Sequence, residues 1–326
     1  MEQRRWGDKA YYSLDYYFRS IYGEKIYKLA LHAGCTCPVR DGSIDTRGCI
    51  FCSEGGSGEF ATPVPLLPDG SPDITAQLDH SLSRIADKFG GRYSIAYLQP
   101  YSNTYGDPER LKEIYLRLLS DERIIGLSIA TRPDCLPPEI LKVLSEVKDC
   151  FPEKALWIEL GFQTMHPDSY RYIRRGYDNS VFEEAVNSLH GLGIPVVVHI
   201  ILGLPGESSS QIYSTIEYLN TFPIFGIKLQ LLHVLEGTDL AADYNARCFE
   251  VMTREEYVNL LIGALERLSP EIVVHRLTGD GPKNILIAPL WSSDKKRVLN
   301  ELHAEMDRRG SYQGRLYSPP EGFNTL

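Results

Sequence analysis

Residues 195–219 read PVVVHIILGLPGESSSQIYSTIEYL. The first eight residues are apolar except for His199, a composition expected of a parallel strand buried on both faces. Gly203-Leu204-Pro205-Gly206 turns the chain. From Ser208 to Leu219 the apolar residues then return at helical spacing. The unit is strand, turn, helix, and it recurs in both directions. Strands are predicted over 25–32, 93–98, 125–130, 156–160, 195–202 and 227–232. Helices are predicted between them, one opening at Asp107-Pro108, one over 138–148 and one over 181–192, and Gly90-Gly91 is read as the stop of a helix bearing Ile74, Leu78, Leu82 and Ile85. From Tyr93 onward the strands recur roughly every thirty to forty residues, the rhythm of βα units. Such units build a right-handed parallel sheet, and periodicity alone does not choose between a partial barrel and a doubly wound sheet.

After Gly237 the pattern changes. Thr253 and Glu256 form a capping box that opens a helix to about Leu268. A strand over 271–276 and a helix over 294–308 follow. The chain therefore divides into a helical segment over 1–24, a βα region over 25–236, an α/β extension over 237–310 and a tail over 311–326 that has no period and is expected to be mobile.

The 326 residues are 43% hydrophobic and 24% charged, which is ordinary globular composition. No apolar run is long enough to cross a membrane, and the N-terminus lacks the apolar core of a secretory signal, so a cytoplasmic protein with no membrane partner is expected. A net charge of −9 argues against indiscriminate coating of nucleic acid. From Arg276 onward, however, eight Lys/Arg stand against six Asp/Glu.

Four of the seven cysteines crowd one stretch, GCTCPVRDGSIDTRGCIFCSEGGSGEF, Gly34 to Phe60, at the end of the first strand. Barrels and open α/β sheets place their chemistry at such strand ends. Cys49 and Cys52 are a C-x-x-C pair, and the glycines at 42, 48, 55, 56 and 58 free the backbone to wrap a bulky group. Three readings compete. A structural zinc site could use Cys35, Cys37, Cys49 and Cys52, but C-x-C crowds two sulfurs on one tetrahedron. A thioredoxin-like pair leaves the upstream cysteines unexplained. An iron–sulfur cluster on three cysteines leaves one iron open. Cys135, Cys150 and Cys248 read as packing residues.

In order along the chain, KIYK (Lys25–Lys28), CPVRDG, GCIFCSEGGSGEF, AYLQPYSNTYGDPERL, ATRPDCLPPEIL, IELGFQTMHPDSYRYIRRGYD and HIILGLPGES resemble the radical S-adenosylmethionine (radical SAM) proteins of the YhcC/YtqA type. That family is related to the Elongator catalytic subunit and to oxygen-independent coproporphyrinogen oxidase. The SEGGSGEF segment leans toward the YtqA branch. The cysteines are spaced C-x11-C-x2-C rather than C-x3-C-x2-C, a longer first gap that is usual in this branch. The resemblance implies an α/β fold, a partial (β/α)6 TIM-type barrel with a small C-terminal extension. It implies a [4Fe–4S] cluster on Cys37, Cys49 and Cys52, with proline following the first ligand and Cys35 left as a small buried side chain. It further implies reductive cleavage of S-adenosylmethionine to a 5′-deoxyadenosyl radical, with an electron donor such as flavodoxin or ferredoxin.

Cofactor contacts are implied at successive strand ends. Gln99, Ser102 and Asn103 stand where relatives carry a Gly-Gly-Glu-like motif. Thr131 and Arg132 end the third strand, Arg132 either pairing with the cofactor carboxylate or bracing its loop through Asp134. Glu159 and Gln163 flank the fourth strand's end, Glu159 as an acceptor for ribose hydroxyls. Arg171, with Arg174 and Arg175 beside it, is a candidate for the carboxylate. His199, Gly203 and Leu204 resemble the adenine-binding segment. The kinship implies a tRNA substrate, a side chain on the wobble uridine. Tyr101, Tyr105, Tyr170 and Tyr172 are available for stacking, and Lys283, Lys295, Lys296, Arg297, Arg308 and Arg309 for phosphates. The alternatives are a small metabolite as substrate, or a non-enzymatic iron–sulfur or zinc sensor or electron carrier.

Overall fold

A computed structural model describes residues 3–56, 65–68, 70, 72–89, 93–279 and 281–319. Gly58 and the Gly90-Gly91 stop lie outside them. Helix α1 (Leu14–Tyr22) precedes β1 (Tyr27–Leu31), and α2 (Ile74–Phe89), β2 (Ser94–Leu98), α3 (Pro108–Leu119), β3 (Ile124–Thr131), α4 (Pro138–Cys150) and β4 (Ala155–Gln163) follow. Then come α5 (Pro167–Tyr172), α6 (Asn179–Gly191), β5 (Val196–Leu202), α7 (Ser209–Leu219) and β6 (Gly226–Leu231). The remaining elements are β7 (Val234–Leu235), α8 (Asp239–Asn245), α9 (Arg254–Arg267), β8 (Val273–Arg276), β9 (Leu286–Ala288) and α10 (Lys295–Arg309). Local signals account for several boundaries. Asp107 caps α3 through Arg110 N at 2.9 Å, with Pro108 in the first turn. Thr253 and Glu256 form the reciprocal capping box of α9.

The strands form one curled parallel sheet in the order β1-β2-β3-β4-β5-β6-β8. A doubly wound sheet reverses its strand order at a switch point. This sheet never does, so the fold is a partial barrel. The six expected strands are present. The seventh, β8, comes from the segment expected to be a separate extension. It returns through α9 to pair in parallel with β6, and β7 and β9 form their own antiparallel ladder. The outer edge of β8 is covered by the N-terminal segment, with Val274 N donating to Tyr12 O at 2.7 Å. Among the described residues no helix is long and apolar enough to cross a membrane.

Because side chains alternate along a strand, the barrel interior is built in layers. The lowest is apolar, with Ile95, Trp157 and Val197 packed on Phe18 of α1. Two residues further along each strand the interior turns polar, with Tyr97, Glu159, His199 and Lys228. Gly226 belongs to the lower layer, where any Cβ would run into the ring of His275.

The expected mobile tail is corrected over its described part. Ser311 and Gln313 are fully buried. Gln313 accepts from Tyr12 N at 2.8 Å and donates to Ser269 O and Ile272 O at 2.7 and 2.8 Å. The segment has no period because individual polar contacts, rather than a repeated face, anchor it, with Ser311 and Arg315 also donating to Glu266. Gln313→Leu removes the side-chain partner of Tyr12 N and Ile272 O, and denaturant unfolding is expected to register a loss of about 1–3 kcal/mol. An unchanged midpoint would contradict the anchoring role.

Candidate active site

The first strand delivers the chain to the cysteine loop, which folds back on itself. Arg40 N donates to Cys37 O at 2.8 Å, Gly48 N to Val39 O at 2.7 Å and Cys52 N to Cys49 O at 3.0 Å. The Arg40 guanidinium spans the loop, donating to Cys52 O at 2.7 Å and Ser53 O at 2.5 Å. Gly56 closes it with φ +59°, where a Cβ would strike the ring of Tyr101.

Cys37, Cys49 and Cys52 line one cavity of about 190 Å³ at the C-terminal ends of the strands. Ser102 Oγ lies 3.4 Å from Cys37 Sγ, and Cys49 Sγ lies 3.8 Å from Arg174 O. Burial, together with the neighbouring Cys52 and Cys37, pushes the Cys49 thiol up to about 12, against the pull of the Arg132 and Arg40 guanidiniums. A Cys49 thiol raised by its two cysteine neighbours suits a cationic iron core that would take it as a thiolate. Among the described residues no three of His, Cys, Asp and Glu converge as a single ion requires. A multi-iron cluster is instead ringed by its ligands. Cys35 does not join the ring. It lines a different cavity with Thr104 and Cys135, and burial pushes its thiol up to about 11. Cys135 is buried as expected, but Cys150 and Cys248 are exposed, at the end of α4 and in the loop after α8, and are not packing residues.

Of the residues expected to hold cofactor, Gln99, Ser102, Thr131, Arg132, Glu159, Gln163 and His199 line this cavity. Asn103, Arg171, Gly203 and Leu204 do not. Asn103 is fully buried, and its amide donates to Leu98 O, Pro100 O and Ala130 O, bracing the loop that presents Ser102. Leu204 packs in a satellite core, and Gly203 abuts Met252. Arg171 points to solvent beside Asp168. Helix α5 ends at Tyr172, and Arg174 adopts φ +56°. That turn sends Arg175 inward, where it donates to Phe162 O, Thr164 O and Tyr177 O at 2.7–2.9 Å. Tyr101 and Gln163, which line the cavity, also hold positive φ values of 60° and 68°. Such strain gathers at functional sites.

Arg132 braces its loop, gripping Asp134 through two bonds of 2.9 and 2.6 Å, and it also lines the cavity. Glu159 departs from the expectation of an open ribose acceptor. Its carboxylate is fully buried and already accepts from four donors. Lys28 Nζ and Ser128 Oγ reach Oε1 at 2.7 and 2.6 Å, while Lys228 Nζ and His199 Nε2 reach Oε2, the latter at 2.7 Å. Burial alone would raise Glu159, yet Lys228 and Lys28 hold it well below the usual carboxylate range. Burial lowers Lys228 to about 7 despite Glu159, and burial plus Lys228 lowers His199 to about 4. His199 is therefore neutral near pH 7. With Nε2–H donated to Glu159, its Nδ1 faces Gln230 Nε2 at 3.2 Å. Lys228, Tyr97 and Arg276 carried no signal of their own in the sequence, and Lys28 stood out only within the KIYK segment, with no role attached. Only the inward alternation of β1, β2 and β6 could have marked Lys28, Tyr97 and Lys228.

The stacking and phosphate candidates also separate. Tyr101 lines the cavity, whereas Tyr105 and Tyr172 bond to Ser43 and Asp243, and Tyr170 lies under Arg175. Arg308 and Arg309 are paired with Glu305, and Lys296 and Arg297 are exposed on α10. Lys283 and Lys295 line a second cavity that opens beside the first.

Residues 46–219 match the family model described as the Radical SAM superfamily, and residues 224–308 match the Radical_SAM C-terminal domain. The uncharacterized protein YtqA of Bacillus subtilis is 38% identical, over 98% of this chain and 96% of its own. The tRNA uridine(34) acetyltransferase of Methanocaldococcus infernus is 26% identical, over 58% of this chain and 34% of its own. Among solved structures, the archaeal Methanocaldococcus infernus Elp3 lacking residues 1–46 superimposes with a TM-score of 0.66 at 15% identity, covering 88% of this chain. This chain spans 64% of that one, and at such identity the likeness is one of fold.

Proposed function

The chain belongs to the radical SAM superfamily, and from that premise we propose that it is a tRNA-modifying enzyme acting on a side chain of the wobble uridine. Its cofactors are those of the family, a [4Fe–4S] cluster and S-adenosylmethionine. When bound, they supply reductive cleavage of the sulfonium to methionine and a 5′-deoxyadenosyl radical. The observation that carries the reading is the ring of Cys37, Cys49 and Cys52 around one strand-end cavity that also holds Gln99, Thr131, Arg132, Gln163 and His199. A sensor or an electron carrier has no use for those polar side chains beside its cluster.

The chain's own residues divide the work. The three cysteines would hold the cluster, and Arg40 holds their loop closed. Arg132, oriented by Asp134, offers a fixed cation for a carboxylate. Gln99, Thr131 and Gln163 offer neutral donors and acceptors, and His199 an uncharged imidazole. Val39, Phe51, Ile173 and Ile201 line the same cavity and keep water from it. Glu159 is the counterion that fixes the polar layer beneath.

The tRNA assignment rests on the likeness to the uridine(34) acetyltransferase and on Tyr101 at the cavity, positioned to stack on a splayed anticodon base. The enzyme would act in the cytoplasm with a flavodoxin or ferredoxin as electron donor. Nucleoside mass spectrometry of bulk tRNA tests it. A deletion strain is expected to lose one modified uridine, and the Cys49→Ala protein is expected not to restore it. An unchanged profile in both strains would remove the tRNA assignment.

A further inference from the structure

The loop after β2 aims a serine at one of the three ring cysteines. Ser102 is 1% exposed, and its Oγ lies 3.4 Å from Cys37 Sγ. Among the described residues the only other group that this hydroxyl reaches is the Cys135 thiol. A buried hydroxyl ordinarily finds a backbone carbonyl or a water. This one has two sulfurs and no oxygen.

The two sulfurs are unequal acceptors. Burial and the adjoining Asp134 carboxylate push the Cys135 thiol up, so it stays protonated, and its own hydrogen faces Asp134 Oδ1 at 3.8 Å. A thiol sulfur accepts weakly, whereas a thiolate draws a charge-assisted bond. With Cys37 ionised on iron, the Ser102 hydrogen therefore goes to Cys37. Cys49 differs, since its sulfur faces the Arg174 carbonyl at 3.8 Å, which has no hydrogen to give.

The backbone fixes this contact from both sides. Ser102 N donates to Thr36 O at 3.2 Å, one residue before Cys37, and Tyr101 N donates to Gly56 O at 3.2 Å, at the far end of the cysteine loop. Tyr101 holds φ +60° in making that turn. On the other side the buried Asn103 amide donates to Leu98 O, Pro100 O and Ala130 O at 2.9–3.1 Å.

We propose that Ser102 is a positioning residue for electron entry, its hydroxyl donating to the Cys37 thiolate and raising the reduction potential of the cluster. The inference rests on the reading of Cys37 as a cluster ligand. Hydrogen bonds to the sulfurs are among the factors that set cluster potentials. Reduction brings in one electron from the donor protein, and part of its charge spreads onto the ligand sulfurs. A hydrogen held against one of them stabilises the reduced state more than the oxidised state. No proton moves, and the Ser102 O–H bond stays intact.

Redox titration of the reconstituted protein without S-adenosylmethionine, followed by electron paramagnetic resonance of the reduced cluster, tests this. Ser102→Ala is expected to disfavour reduction roughly tenfold, a shift of about 59 mV to more negative potential for one electron. Ser102→Thr keeps the hydroxyl and is expected to stay near the wild-type midpoint. An unmoved midpoint in Ser102→Ala, or an equal shift in Ser102→Thr, overturns the proposal. Iron content of the same samples separates the two readings. A fully loaded Ser102→Ala protein with an unmoved midpoint removes the role of Ser102 and leaves Cys37 as a ligand. A Cys37→Ala protein that keeps its full cluster removes both. If Ser102→Ala fails to load, resonance Raman spectra of the wild-type cluster decide. A hydroxyl hydrogen exchanges at once in D2O and a buried, bonded amide slowly, so the iron–thiolate stretching bands are expected to shift immediately on transfer. Bands that do not move at once overturn the proposal.

Discussion

Anaerobic reconstitution is expected to load about four irons per chain, and replacing Cys37, Cys49 or Cys52 with alanine is expected to abolish both the cluster and S-adenosylmethionine cleavage. Cys35→Ala is expected to keep both. The distinction is geometric. Cys35 and Cys37 are two residues apart, yet they open onto different cavities, and only Cys37 shares its cavity with the C-x-x-C pair. The burial that pushes the Cys35 thiol to about 11 makes it a poor source of thiolate, and no neighbouring metal would relieve it. Iron and sulfide analysis with the cluster's visible absorbance reads the outcome. A full cluster in Cys37→Ala together with an empty Cys35→Ala would reverse the ligand assignment.

Glu159→Gln is expected to destabilise the fold by about 3–5 kcal/mol, the cost of removing one partner of a buried ion pair. Glu159 is fully buried, and among the described residues it is the only carboxylate bonded to Lys28 and Lys228. The pH dependence has a definite sign. Lys228 titrates at about 7 in the fold, against roughly 10.4 in an unfolded chain. Without the Glu159 charge its folded value falls further. On the acid side of 7, where wild-type Lys228 is still charged and the variant's is already neutral, the variant's native state binds fewer protons. Its stability then rises with pH while that of the wild type does not. Above the ordinary carboxylate range, the deficit is therefore widest at the acid end and narrows toward pH 7. Denaturant unfolding across that range measures it. A loss under about 1 kcal/mol, or a deficit that widens toward pH 7, would mean that Glu159 is not the counterion. Adding Lys228→Met to Glu159→Gln is expected to recover part of the loss, since it removes a buried amine left without its partner.

Much of the scaffold was legible because it rests on local rules. The apolar run Val196–Leu202 announced a strand buried on both faces. Asp107-Pro108 and the Thr253–Glu256 box marked helix starts that the structure reproduces. The cysteine loop was legible for a similar reason, since its spacing and its glycines are continuous in the chain. The polar layer was not. His199 stood out only because its strand is otherwise apolar. Lys228, in the alternating GIKLQL of β6, reads as the wet face of a half-buried strand, and Lys28 likewise. Arg171 and Arg175 could not be told apart until the left-handed turn at Arg174 sent one outward and the other in. By itself the sequence determined the strand–helix rhythm and the helix caps, set by neighbours a few residues apart, while the choice of Cys37 over Cys35 came from the family resemblance. Only the tertiary structure decided that Lys28, Tyr97, Glu159, His199 and Lys228, from five strands, share one interior layer. Period-2 alternation leaves the inward face of each strand undefined until the sheet curls and gives all five the same inside.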